Sequence, residues 1–185
     1  MTTRLVLVGP PGAGKGTQAT ALSEKLRIPH ISTGDLFRKH IAEETALGQE
    51  VKHILDSGKL VPDEITNRML IERLRQPDTE NGFLLDGFPR NIGQAEVLAK
   101  ELGDSDQKLD AVVQLHVDED VVVERLLSRG RSDDNEEVIR HRQHVYQSET
   151  APLLDFYRDL LVTVDGVGEV DEVTDRVLAA LRDRT

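Results

Sequence analysis

Leu5-Val6-Leu7-Val8-Gly9-Pro10-Pro11-Gly12-Ala13-Gly14-Lys15-Gly16-Thr17-Gln18 lies almost at the amino terminus, and everything after it is read against it. Four apolar residues run into a turn rich in Gly and Pro, and a helical pattern begins at about Lys15. Residues 9–15 fit the phosphate-binding template G-x-x-x-x-G-K. Glycines let successive backbone N–H groups turn inward on an anion. The helix that follows aims its open N–H groups and positive dipole end at the same place. Lys15 supplies a mobile point charge for the outer phosphates. One position departs from the template: Gly16 stands where it has Ser or Thr, and the hydroxyl comes at Thr17. A Gly-rich strand–helix turn with no ligand is the plainer reading. Strand, turn, lysine and helix together favour a bound nucleoside triphosphate or something close to it.

The chain has 185 residues, enough for one domain (1–185) with a substantial core. It has no run of about 18 apolar residues, so no membrane span is expected. The first strand begins too early to leave room for a signal peptide. Cys is absent, which excludes disulfides and thiolate metal sites. A cytoplasmic, monomeric protein fits these features. A formal charge of −11 argues against a nucleic-acid or acidic-membrane partner. An acidic protein that binds polyphosphate must gather its cations in one cleft and keep carboxylates outside. The acidic runs at 118–120 and 133–137 read as solvated helix starts.

Strand-like runs occur at 5–8, 29–32, 83–86, 111–117 and 161–165. Most are nearly all apolar, as when both faces of a sheet are covered. Helical patterns fall at about 15–26, 35–45, 48–57, 64–75, 92–102, 119–129, 135–149, 151–160 and 170–183. The alternation predicts an α/β fold, a three-layer α/β/α sandwich around a five-stranded parallel sheet. Ligands in such sheets sit at the carboxyl ends of the strands. Three helices link strands two and three, too many for one crossover. Residues 33–62 are therefore expected to stand out as a small mobile unit. Asp63 and Asp118 mark helix starts. Thr150-Ala151-Pro152 reads as one helix ending and another beginning.

Several groups could do chemistry. Asp86 ends a buried strand and suits indirect Mg²⁺ binding beside a phosphate loop, or else serves the turn after it. Gly87-Phe88-Pro89-Arg90 is a rigid turn that can bring an Arg fork against a phosphate. Asn91-x-x-Gln94 has the spacing of a capping box. Ser32 or Thr33 could cap a helix starting at Asp35, and spacing alone favours capping at both places. Arg125 and Arg129 share a helix face, and Arg131 follows Gly130. All three could simply complement the dipole of a helix end. Arg142 falls in line with Val138, Ile139, Val145 and Tyr146, and an Arg beside an apolar stripe usually faces a partner or ligand. Arg38 could equally be solvated. The six His residues show no zincin spacing, and His141 and His144 read as surface or margin positions.

Together these residues resemble the adenylate kinases, nucleoside monophosphate kinases that interconvert ATP plus AMP and two ADP. The match is in register over nearly the whole chain. Residues 9–17 resemble the family's phosphate loop, which commonly carries Gly at the departing position. Ile31-Ser32-Thr33-Gly34-Asp35 and Leu85-Asp86-Gly87-Phe88-Pro89-Arg90 are similar to two signature segments. Gly130-Arg131-Ser132-Asp133-Asp134 and Thr150-Ala151-Pro152-Leu153 are similar to its C-terminal motifs. The resemblance implies an AMP-binding segment at about 32–61 and a lid at about 128–134. It implies an ATP site of Gly12, Ala13, Gly14, Lys15, Gly16, Thr17, Arg125, Arg129 and Gly168. It implies an AMP site of Thr33, Arg38, Lys59, Leu60, Val61, Gly87, Phe88, Pro89, Arg90, Gln94, Arg131 and Arg142. Gln94 would read the adenine edge, and Arg38 and Arg90 the AMP phosphate. Arg125 would lie against the ATP base, and Arg131 and Arg142 would reach the transferred phosphoryl group. Lys15, Asp86, Arg90, Arg125, Arg131 and Arg142 form the implied catalytic set. Mg²⁺ would come with ATP, Asp86 and Thr17 acting at one remove. A cis Phe88–Pro89 bond is also implied, and X–Pro bonds accommodate it readily.

Many bacterial members insert a long lid hairpin, sometimes with a Cys-based zinc site, between the positions of Arg129 and Arg131. Here only Gly130 separates them, which implies a short lid without zinc. A UMP/CMP kinase on the same scaffold is the nearest rival. That family tends to have Ala and Asn where this chain has Thr33 and Gln94. A GTP-driven switch would be a different class, and its N-K-x-D motif does not occur.

Overall fold

The computed structural model describes residues 2–10, 12–57, 59, 61–130 and 135–183. Five strands, β1 (Thr3–Val8), β2 (His30–Ser32), β3 (Gly82–Asp86), β4 (Ala111–His116) and β5 (Leu161–Asp165), form one parallel sheet in the order β2-β3-β1-β4-β5. Strand β1 is central. Period-two alternation sends Leu5 and Leu7 to one face and Val6 and Val8 to the other. Each face is covered, so every one of these positions is apolar.

Helices α1 (Lys15–Leu26), α6 (Glu119–Arg129) and α8 (Val170–Arg182) cover the first face through Leu22, Val122, Leu126, Val173 and Val177. Helices α4 (Asp63–Leu74), α5 (Ile92–Asp104) and α7 (Glu136–Phe156) cover the second through Leu70, Leu98, Leu102 and Leu153. This is the expected three-layer arrangement. No helix among the described residues is long and apolar enough to cross a membrane.

The connection from β2 to β3 carries α2 (Thr33–Ala42), α3 (Ala46–Asp56) and α4. Val51, Ile65 and Met69 form an apolar cluster of their own there, ringed by Phe37, Ile41, Leu47, Ile54 and Val61. Helix α2 begins at Thr33 rather than 35, because Ser32 is its N-cap and accepts from the Asp35 N–H at 3.4 Å.

Two expectations need correction. Residues 135–149 and 151–160 were expected to form two helices, but α7 runs unbroken from Glu136 to Phe156 with Pro152 inside. Pro152 forfeits one backbone bond, a cost of roughly 3 kcal/mol in a helix interior. Burial on both sides of it offsets that loss: Ile139, Gln143 and Thr150 before it, Leu153 after it. Asp63 was expected to precede its helix but is the first residue of α4, whose N-cap is Pro62, whereas Asp118 is the N-cap of α6 as expected, without a side-chain bond.

Close helix crossing explains Gly48. A Cβ built there would lie 1.9 Å from the His40 carbonyl oxygen of α2. Gly48→Ala is expected to cost about 1–3 kcal/mol by forcing α2 and α3 apart. Urea unfolding would show this as a lower midpoint.

Candidate active site

The carboxyl end of β1 opens into the glycine-rich turn. Gly12 (φ 85°) and Gly14 (φ 83°) hold the left-handed conformation that glycine adopts without strain. Gly12 has a second constraint, since a Cβ there would sit 3.1 Å from side-chain carbons of Val122 and Leu126 in α6. Gly14 is the N-cap of α1 and brings no side chain to cap it. The first-turn amides of α1 thus remain available to an anion. Ala13 is buried and donates its N–H to the Pro10 carbonyl.

Parallel pairing of β1 with β3 puts Leu7 opposite Asp86, so the end of β3 reaches the same turn. Lys15 Nζ lies 3.0 Å from Asp86 Oδ1, and His30 Nε2 lies 3.2 Å from Asp86 Oδ2. Burial is the largest influence on this carboxyl and acts to raise its pKa. The His30 hydrogen bond and the Lys15 charge outweigh it and hold the group below its ordinary value. Asp86 therefore stays ionised at neutral pH.

The turn after β3 follows the expectation closely. Gly87 has φ 87°, the Phe88–Pro89 peptide is cis, and Phe88 and Pro89 are buried. Arg90 is exposed, and its Nε donates to the Gly87 carbonyl at 3.0 Å. Thr33 does not cap α2. It is buried, and its hydroxyl points to the Gly87 carbonyl at 3.4 Å.

A cleft of about 930 Å³ is lined by Gly9, Gly12, Gly14, Lys15, Gly16, Thr17, Arg90, Arg129 and Arg142. His141, Val145, Tyr146, Glu149 and Thr150 of α7 complete its far wall. Four cations thus face one carboxylate among the described lining residues, in a chain whose net charge is −11. Low-dielectric walls focus the field of such a cluster onto an anionic ligand. Burial lifts the Tyr146 phenol to about 12, so it adds no charge.

Other expected residues lie outside this cleft. Arg125 is half-buried and donates to the Gly12 carbonyl from Nη1 and to the Gly166 carbonyl from Nη2, each at 3.2 Å. It ties the glycine-rich turn to the loop after β5, where Gly168 has φ 133°. Gln94 is buried under the Arg90 turn. Arg38 is exposed and paired with Asp35. Lys59 is exposed, and Val61 packs on the cluster of α3 and α4. Leu60 and Arg131 lie outside the described residues, as does most of the segment expected to act as a lid.

Sequence reasoning gave His30 no role and set His141 at the surface or its margin. His141 is exposed and lines the cleft. Parallel pairing offers the only signal for His30, which sits two residues before the strand end that faces Asp86. Among the described residues no group of three or more His, Asp or Glu is placed to hold a metal ion.

A phosphate-type turn on the central strand of a parallel sheet, facing a cationic wall, defines a nucleotide-binding α/β phosphotransferase of the P-loop class. Comparison with known proteins narrows this. The family model described as "Adenylate kinase" matches residues 7–161. The adenylate kinase of Nocardia farcinica is 62% identical over 178 residues, covering 96% of this chain and 98% of the relative. Those of Rhodococcus erythropolis and Mycolicibacterium smegmatis are 61% and 58% identical over the same coverage. The chain belongs to the adenylate kinase family.

Because the Asp86 pKa is depressed in the folded state, its stabilising contribution is complete above the ordinary carboxyl value of about 3.9. It is lost as pH falls through the lower folded value. Asp86→Asn is expected to remove that part of the acid limb. Urea midpoints measured between pH 2 and pH 7 should then change less with pH than in the parent.

Proposed function

We infer that this chain transfers a phosphoryl group reversibly from ATP to AMP, giving two ADP. The cationic cleft beside the glycine-rich turn is the single observation that carries the reading. ATP phosphates lie on the amides of residues 12–17 with Lys15, and Arg125, Arg129 and Gly168 hold the rest of the nucleotide. AMP lies across Thr33, Lys59, Leu60, Val61 and residues 87–90, with its base at Gln94 and its phosphate at Arg38, Arg90 and Arg142. Arg131 and Arg142 reach the group in transit.

Such a transfer requires alignment and charge cancellation more than covalent help from the protein. Arg90 and Arg142 come from different elements and line one cleft, an arrangement suited to cancelling charge on both nucleotides at once. Asp86 and Thr17 offer hard oxygens beside Lys15, a donor set that fits Mg²⁺ held through water and phosphate. Bound there, the ion neutralises phosphate charge. Water is the rival acceptor, so the 32–61 segment and the short lid close over both substrates.

Arg90→Ala and Arg142→Ala are each expected to lower kcat by about 10³-fold or more while leaving melting unchanged. A coupled assay offering ATP with AMP, UMP, CMP or GMP tests the substrate assignment. AMP should be strongly preferred, and equal use of UMP or CMP would refute it.

A further inference from the structure

Gln94 sits at the start of α5 with its amide held from two sides. Its Oε1 accepts from the Arg90 backbone N–H at 2.7 Å, and its Nε2 donates to Asp63 Oδ1 at 2.9 Å. The other carboxylate oxygen of Asp63 accepts from Asn91 Nδ2 at 2.9 Å. Asn91 is in turn fixed as the N-cap of α5, accepting from the Gln94 N–H at 2.8 Å. Asp63 therefore spends no bond on its own helix and two on α5.

The two partners of the Gln94 amide differ in kind. A backbone N–H only donates, and an ionised carboxylate only accepts. The amide oxygen must face Arg90 and the amide nitrogen must face Asp63. Turning the amide by 180° would set two donors against each other at Arg90 and two acceptors against each other at Asp63. An amide has two N–H groups and two oxygen lone pairs, and one of each is used here. One donor and one acceptor remain, in an order the pair of partners dictates.

Resting on the reading that Gln94 recognises the base of AMP, we propose that Asp63 is a specificity-determining positioning residue. Its carboxylate locks the Gln94 amide in the orientation that matches adenine. Adenine presents an N6 amino donor and an N1 acceptor. Hypoxanthine presents the reverse, an O6 acceptor and an N1–H donor, on a base of nearly the same shape. A freely turning glutamine serves both. A locked one rejects the second, because buried polar groups would be left mismatched.

The test compares kcat/KM for AMP and for IMP, with ATP as donor, in the parent, Asp63→Asn and Gln94→Leu. Asparagine keeps the shape of Asp63 but can face Gln94 with either its oxygen or its nitrogen, so it permits the turned amide. Asp63 is exposed, and the Arg90 N–H still opposes turning. The AMP-over-IMP preference is therefore expected to fall about tenfold in Asp63→Asn rather than invert. KM should rise for AMP and fall for IMP. A purely structural role would weaken both substrates together and leave their ratio unchanged. An unchanged ratio in Asp63→Asn, with a lowered one in Gln94→Leu, overturns the role of Asp63 alone. An unchanged ratio in both overturns the base-reading role of Gln94 as well.

Discussion

Lys15 meets Asp86 because a loop and a strand end are brought together by parallel pairing, and the rest of the site hangs on that meeting. Lys15 belongs to the first turn of α1, and Asp86 closes the strand beside β1. The carboxylate is largely shielded from water, yet His30 and Lys15 keep it ionised. Neither group would be in reach if β1 and β2 did not both pair with β3. The central place of β1 also lets loops from both sides reach its carboxyl end, which is why such sheets bind ligands there.

Charge follows the same logic. A chain this acidic repels phosphates at long range, so its cations must be concentrated where they act. Lys15 arrives on α1, Arg90 on the turn after β3, Arg129 at the end of α6 and Arg142 on α7. Surface carboxylates pair elsewhere: Glu136, Asp120 and Glu119 surround Arg140, which clasps α6 to α7 away from the cleft lining. Exposed pairs of that kind add little stability singly, but they keep neighbouring acids occupied.

Much of this was legible along the chain. Apolar runs located all five strands, and the glycine-rich stretch at 9–17 located the phosphate turn, because both signals depend only on neighbouring residues. The cationic cleft was foreseen from net charge and from Arg142 lying beside an apolar stripe. Pro152 misled, since a local rule for helix ends ignores the burial of Leu153 and Thr150 that carries α7 through it. Thr33 misled in a similar way. Its neighbour Ser32 took the cap, leaving the Thr33 hydroxyl to face Gly87 from fifty-four positions away.

By itself the sequence determined the class of fold, the strand positions and the glycine-rich turn after β1. Periodicity and turn chemistry are short-range properties, and a linear reading captures them. Tertiary structure alone decided which partners those residues take: His30 on Asp86, Arg125 between two loops, Asp63 on Gln94. A hydrogen bond needs placement within tenths of an ångström and the right donor facing the right acceptor. Only the packing of sheet and helices sets that for residues tens of positions apart.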